Sequence, residues 1–172
     1  MQFIAAIKER MPDYAKDLRL NLDAVIARSS LSATAAEGAA LAAALAAKSG
    51  ALVAAIRTRG TLDPAHRQAA LTAAALMGMN NVWYPFVEMA NDEDLKTQRP
   101  ELRMNAYAGN GGVEKKKFEA YALAASIVGK CHFCIESHYA LLKKEGLTTQ
   151  QLRDIGRIAA VVNAAAQVIA AS

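Results

Sequence analysis

At 172 residues the chain is long enough to bury a real core, and a single domain is the expectation. Hydrophobic residues make up 53%, mostly alanine and leucine with few β-branched runs, which points to helices packed closely through small side chains. The net charge of +4 is mild, dispersed and free of aromatic interleaving; it argues against a nucleic-acid binder and leaves only a weak attraction for acidic partners.

Residues 1–7 run straight into Lys8, Glu9 and Arg10 without the pattern of a signal peptide, and the alanine-rich run 39–47 is too short to span a bilayer. A cytoplasmic protein with no membrane segment is expected. Phe3, Ile4 and Ile7 mark one face of a first helix over residues 2–10, interrupted at Pro12. Tyr14, Leu18, Leu22, Val25 and Ile26 carry a second over 13–28, which Ser29-Ser30 ends. Ser32 is a candidate N-cap for an alanine-rich helix to about Lys48, closed by Ser49-Gly50. A short helix over 51–59 stops at Gly60. Asp63-Pro64 reads as N-cap and N1 of a long helix, which Pro85 should end or kink. Residues 91–112 hold Pro100, Gly109, Gly111 and Gly112 and read as a long connection with one short helix at most. Helices follow over 113–128, from the cysteine pair to Glu145 with Gly146 at C′, and from the Thr148 cap to about Ala170. No alternating strand stands out, so the fold class is all-α.

The chemistry concentrates in residues 129–138, which hold both cysteines and two of the three histidines. On a helix, Cys131, Cys134 and His138 fall within roughly 60° of one another, and His132 points about 100° away. Gly129 is a natural break before a new helix, which puts the first cysteine near a helix N-terminus that favours a thiolate. Three readings fit: a redox dithiol with a base beside it, a zinc site with an open position, or two small core residues beside a satisfied histidine. Structural zinc asks for four ligands, and only three side chains converge. In a reducing compartment a lone CxxC favours the redox reading. Thioredoxin-like proteins set this motif between a strand and a helix; here helices are expected on both sides, so the scaffold differs.

Glu119 sits among Phe118, Tyr121, Leu123 and Ile127. Burial there would raise its pKa and let it exchange protons near neutrality; the plainer alternative is a solvated acid beside Lys115, Lys116 and Lys117. His66 reads as a surface histidine, Met77 and Met79 as core filler, and Asn80-Asn81 as amides that bond freed backbone groups or line a pocket.

Several segments together are similar to one known family: residues 12–17 with Asn21-Leu22, residues 77–82, residues 102–105, and the pattern Glu119–Cys131–Cys134–His138. Over nearly its whole length the chain resembles the AhpD alkylhydroperoxidases, an all-helical family related to carboxymuconolactone decarboxylases. The resemblance implies a peroxidase with no bound cofactor and no metal. Its dithiol is oxidised to a disulfide by hydroperoxide and reduced again by dihydrolipoamide on a lipoyl-bearing acyltransferase. Electron delivery to the peroxiredoxin AhpC and a homotrimer are implied as well. By analogy Cys134 becomes the sulfenic acid, Cys131 is the resolving thiol and proton donor, and His138 and Glu119 form the proton relay. The family carries a histidine immediately before the second cysteine; here Phe133 stands there and the histidine is His132, so no catalytic role passes to His132. The reading of a different class is a non-catalytic metal-binding or helical interaction module. Thiol titration around one equivalent of peroxide, with metal analysis, separates the two.

Overall fold

The computed structural model describes residues 1–172. Ten α-helices follow one another: α1 (Gln2–Lys8), α2 (Lys16–Leu22), α3 (Ala33–Ala46), α4 (Gly50–Arg59), α5 (Pro64–Ala90), α6 (Glu93–Thr97), α7 (Asn105–Ala108), α8 (Lys115–Gly129), α9 (His132–Lys144) and α10 (Thr149–Ala170). There is no strand. A 3₁₀ turn precedes α2, and a π turn over Asp23–Ala27 extends it, so the expected helix over 13–28 is present in three segments of different winding.

Alanine decides the centre. Every residue of α3 from Ala35 to Ala44 is buried, which no one-sided amphipathic helix would show. Its small side chains let α5, α8, α10 and α4 surround it closely. Their apolar faces join in one core of 39 buried residues. The starts of these helices follow the sequence. Ser32 Oγ accepts the Ala35 N–H at 3.2 Å, Asp63 Oδ1 accepts the His66 N–H at 2.8 Å, and Thr148 with Gln151 forms a capping box. No helix is long and apolar enough to cross a membrane.

Four expectations are corrected. Pro85 does not end α5, which continues to Ala90 and closes at Asn91 in the left-handed region (φ 49°). Proline removes one backbone bond, but the far half of α5 is held from the side: the Tyr84 ring stacks on Phe133 of α9 with centroids 4.3 Å apart. The connection over 91–112 contains two short helices and a 3₁₀ turn rather than one helix at most. Ser49 does more than close α3, since its hydroxyl accepts the Leu52 N–H and starts α4. His66 is half-buried, because α5 packs on α8 and brings its Nδ1 within 3.1 Å of the Tyr121 hydroxyl.

Candidate active site

The break between α8 and α9 falls one residue later than the glycine suggests. Lys130, not Gly129, takes the left-handed conformation (φ 56°). Its N–H and the Cys131 N–H reach back to Ile127 and Ser126 carbonyls at 3.1 and 3.3 Å, a two-bond closure of the α8 C-terminus. Gly129 serves a close approach instead, since a Cβ there would overlap the Asn81 side chain of α5. Asn81 Nδ2 donates to the Ala125 carbonyl at 3.1 Å, which fixes α5 against α8 beside the joint.

Cys131 closes α8 and caps α9 at once. Its Sγ accepts the Cys134 N–H at 3.3 Å. The two cysteines are joined as a disulfide, with Cα atoms 5.3 Å apart. Both are buried, but unequally placed. Cys134 lines a cleft of about 310 Å³, together with His138, Ser137, Tyr107 and Asn80. Cys131 lies behind it, 3.8 Å from the Asn80 carbonyl. The cleft therefore meets one sulfur only.

One turn after Cys134, His138 is buried between two acceptors. Its Nδ1 is 2.7 Å from Glu119 Oε2, and its Nε2 is 3.2 Å from Met77 Sδ. Glu119 is buried on α8, and its other oxygen accepts the Tyr107 hydroxyl at 2.6 Å. The order Tyr107–Glu119–His138 thus runs from the irregular connection through the interior to the α9 face that holds the disulfide. An edge-on contact with Phe118, centroids 5.6 Å apart, sets the Tyr107 ring.

The electrostatics correct one expectation. Burial does push the Glu119 carboxyl up, but the hydrogen bonds from His138 and Tyr107 outweigh it and hold the pKa below the usual glutamate range. Glu119 is a carboxylate at neutral pH, not an acid poised to exchange there. An ionised carboxylate only accepts, so the Nδ1 facing it carries the proton of the pair. Burial, and then the facing carboxylate, push the Tyr107 phenol far above its usual range, so it stays a donor.

Of the sequence-predicted residues, Cys131, Cys134, His138 and Glu119 come together. His132 does not join them: it is exposed and 3.3 Å from Glu88 on α5. Tyr107 escaped the sequence reading because α7 has only four residues in a glycine-rich connection. Met77 is core, as its type suggests, and also touches His138. Asn80 lines the cleft, while Asn81 joins helices. No group of three or more His, Cys, Asp or Glu side chains is placed to hold a metal ion.

A buried carboxylate–imidazole pair behind a CxxC disulfide, on helices alone, defines a helical dithiol protein. The comparisons agree on the lineage. Residues 93–172 match the model of the carboxymuconolactone decarboxylase family. The chain is 47% identical over 168 residues to the Alkyl hydroperoxide reductase AhpD of Rhodospirillum centenum, covering 96% of this chain and 90% of that protein. It is 44% identical over 170 residues to the protein of that name from Maricaulis maris, with 98% of each chain covered. For the one from Coxiella burnetii the identity is 41% over 166 residues, covering 94% and 93%. The chain belongs to the AhpD family of alkyl hydroperoxide reductases.

Proposed function

We propose that the protein reduces organic hydroperoxides through Cys134 and Cys131. The observation that carries this reading is that the open cleft is lined by Cys134 and not by Cys131, and by His138, which the buried Glu119 backs at 2.7 Å. In the reduced protein His138, one turn after Cys134 and on the same cleft, takes the Cys134 thiol proton on Nε2 through a water in that cleft, and the Glu119 carboxylate at Nδ1 stabilises the imidazolium. The Cys134 thiolate attacks the terminal peroxide oxygen; the O–O bond breaks, leaving Cys134 sulfenic acid and an alkoxide. Cys131 gives its proton to the alkoxide, which departs as the alcohol. The Cys131 thiolate is supported at the helix cap by the Cys134 N–H. It displaces hydroxide from the sulfenic sulfur and forms the disulfide, and the hydroxide leaves as water with the His138 proton.

Two electrons restore the dithiol. Family membership supports dihydrolipoamide, carried by a lipoyl-bearing acyltransferase, as their source, and AhpC as the peroxiredoxin served. It also supports a cytoplasmic homotrimer, for which the exposed apolar residues Val82, Phe86 and Met89 along α5 supply surface. No resident cofactor is needed. The test is peroxide turnover with and without dihydrolipoamide, with thiols counted before and after one equivalent of peroxide. Turnover only with the dithiol, and loss of two thiols per chain, is expected; two thiols remaining after peroxide sinks the reading.

A further inference from the structure

Beyond Phe133 and Tyr84 lies a second, larger cleft of about 570 Å³, between α5, α6 and α9. Its size is that of a small-molecule site, roughly 300–1,000 Å³. Trp83, Tyr84, Val87, Leu95, Pro100 and Phe133 give it apolar and aromatic walls. Tyr84, Pro100 and Phe133 also line the cleft that holds Cys134, so the two spaces share a wall.

Phe133 is the hinge point of this arrangement. It directly precedes Cys134, and 54% of its surface is exposed. An exposed phenylalanine leaves apolar area in water that a bound group would remove. Its ring is already oriented by the stack on Tyr84. A ligand against this ring lies beside the residue that carries the reacting sulfur, on the wall shared with its cleft. The charged residues of the second cleft restrict what can sit there. Glu136 disfavours an anionic group, Lys96 is engaged by Glu93 at 2.6 Å, and Glu88 faces the His132 ring at 3.3 Å.

We infer that the second cleft binds the organic group of the hydroperoxide, and that it prefers a bulky uncharged aryl or branched alkyl group, with Phe133 and Tyr84 setting that preference. The inference rests on the proposed peroxidase reading. The peroxide oxygens occupy the smaller cleft at Cys134 while the organic group crosses the aromatic wall. Hydrogen peroxide has no such group, so the ratio of the two reactions isolates the larger cleft from the chemistry.

The experiment is single-turnover oxidation of the pre-reduced protein, with no reductant present, by cumene hydroperoxide and by hydrogen peroxide. Wild type should react faster with cumene hydroperoxide. Phe133→Ala should lower the cumene-to-hydrogen-peroxide rate ratio about 10- to 100-fold, in line with the loss of apolar pocket contacts. Val87→Asp, on α5 and lining the larger cleft but not the one at Cys134, should lower it too. Ratios unchanged in both variants overturn the inference. In a separate arm the oxidised variants are reduced by dihydrolipoamide: a loss there with the peroxide ratios unchanged would give the cleft to the reductant's chain and likewise overturn the inference. A wild-type protein inert to both peroxides would instead defeat the peroxidase reading.

Discussion

Glu37 and Glu119 both lie in the interior, on the packed neighbours α3 and α8, and differ in what donates to them. Glu37 accepts the Thr61 N–H at 2.7 Å, the Leu62 N–H at 3.1 Å and the Thr61 hydroxyl at 2.9 Å. All three donors belong to one turn, and none changes charge near neutrality. Gly60 beside them is required, because a Cβ there would overlap the Glu37 carboxylate. Glu119 instead accepts from two side chains that both line the cleft, His138 and Tyr107. Burial is common to the two acids. The first is a strut for the 60–62 turn; the second ties together two residues that line an opening. A buried carboxylate marks a site only when its partners reach an opening.

The sharpest way to break this contrast is Glu119→Gln. The shape is kept and the charge removed, so the reaction of the reduced protein with peroxide should slow about 10²–10⁴-fold at neutral pH. The Cys134 thiol should also titrate higher, as seen by pH-dependent alkylation. A wild-type rate and titration curve would make Glu119 a strut like Glu37. The converse variant is Glu37→Ala. It orphans two backbone N–H groups, each at a cost of about 1–3 kcal/mol. Urea denaturation should show that loss, while the rate per folded molecule stays at the wild-type value.

Tyr107→Phe tests the outer end of the chain of hydrogen bonds. A bond to a charged group is worth about 1.5–3 kcal/mol. Without its donor the Glu119 pKa rises, so the carboxylate is lost at a higher pH and the acid limb of the rate profile moves up. An acid limb in its original place would remove Tyr107 from the site. Asp154 supplies a third buried acid for comparison. Burial raises its carboxyl, but the Ser30 N–H and hydroxyl, with Arg153 and Arg157, outweigh that and bring it to about 2. A depressed carboxylate stabilises the fold above its unfolded value of 3.8, and that stability is lost as pH falls toward 2. Asp154→Asn should flatten this part of the acid denaturation curve and leave peroxide kinetics alone. The smallest effect is expected at His132→Ala, whose exposed pairing with Glu88 is worth at most about 1 kcal/mol. Its hydrogen peroxide rate should match wild type; a loss equal to that of His138→Ala would show that ring exposure misleads here.

The helical order and the face shared by Cys131, Cys134 and His138 were legible because both depend on local period. Caps at Ser32, Asp63 and Thr148 were legible for the same reason. What was hidden depends on contacts between distant segments. Nothing in the sequence near Tyr107 announces that its hydroxyl meets an acid twelve residues on, across a turn of glycines. The direction of the Glu119 shift was misread because local apolar neighbours signal desolvation, whereas the donors that overcome it come from α7 and α9. At Pro85 the sequence left ending and kinking both open, because the cost of a proline is local, whereas the contact of Tyr84 beside it with Phe133 comes from a distant helix.

The disulfide has a thermodynamic side. It spans a sequence separation of only three residues. On the chain-entropy relation, so small a ring restrains the unfolded chain by about 2 kcal/mol, against about 4.7 for a 100-residue loop. Both ends of the joint are also held by backbone bonds that do not involve the sulfurs, at Ser126 and along α9. Opening the bond therefore lowers the folding free energy by about 2 kcal/mol, a sizeable part of the stability of a domain. With a slope of about 1–3 kcal/mol per molar urea, the reduced protein should denature about 1 M earlier than the oxidised one, so the dithiol is the state more open to proteolysis and each reoxidation withdraws the chain from it.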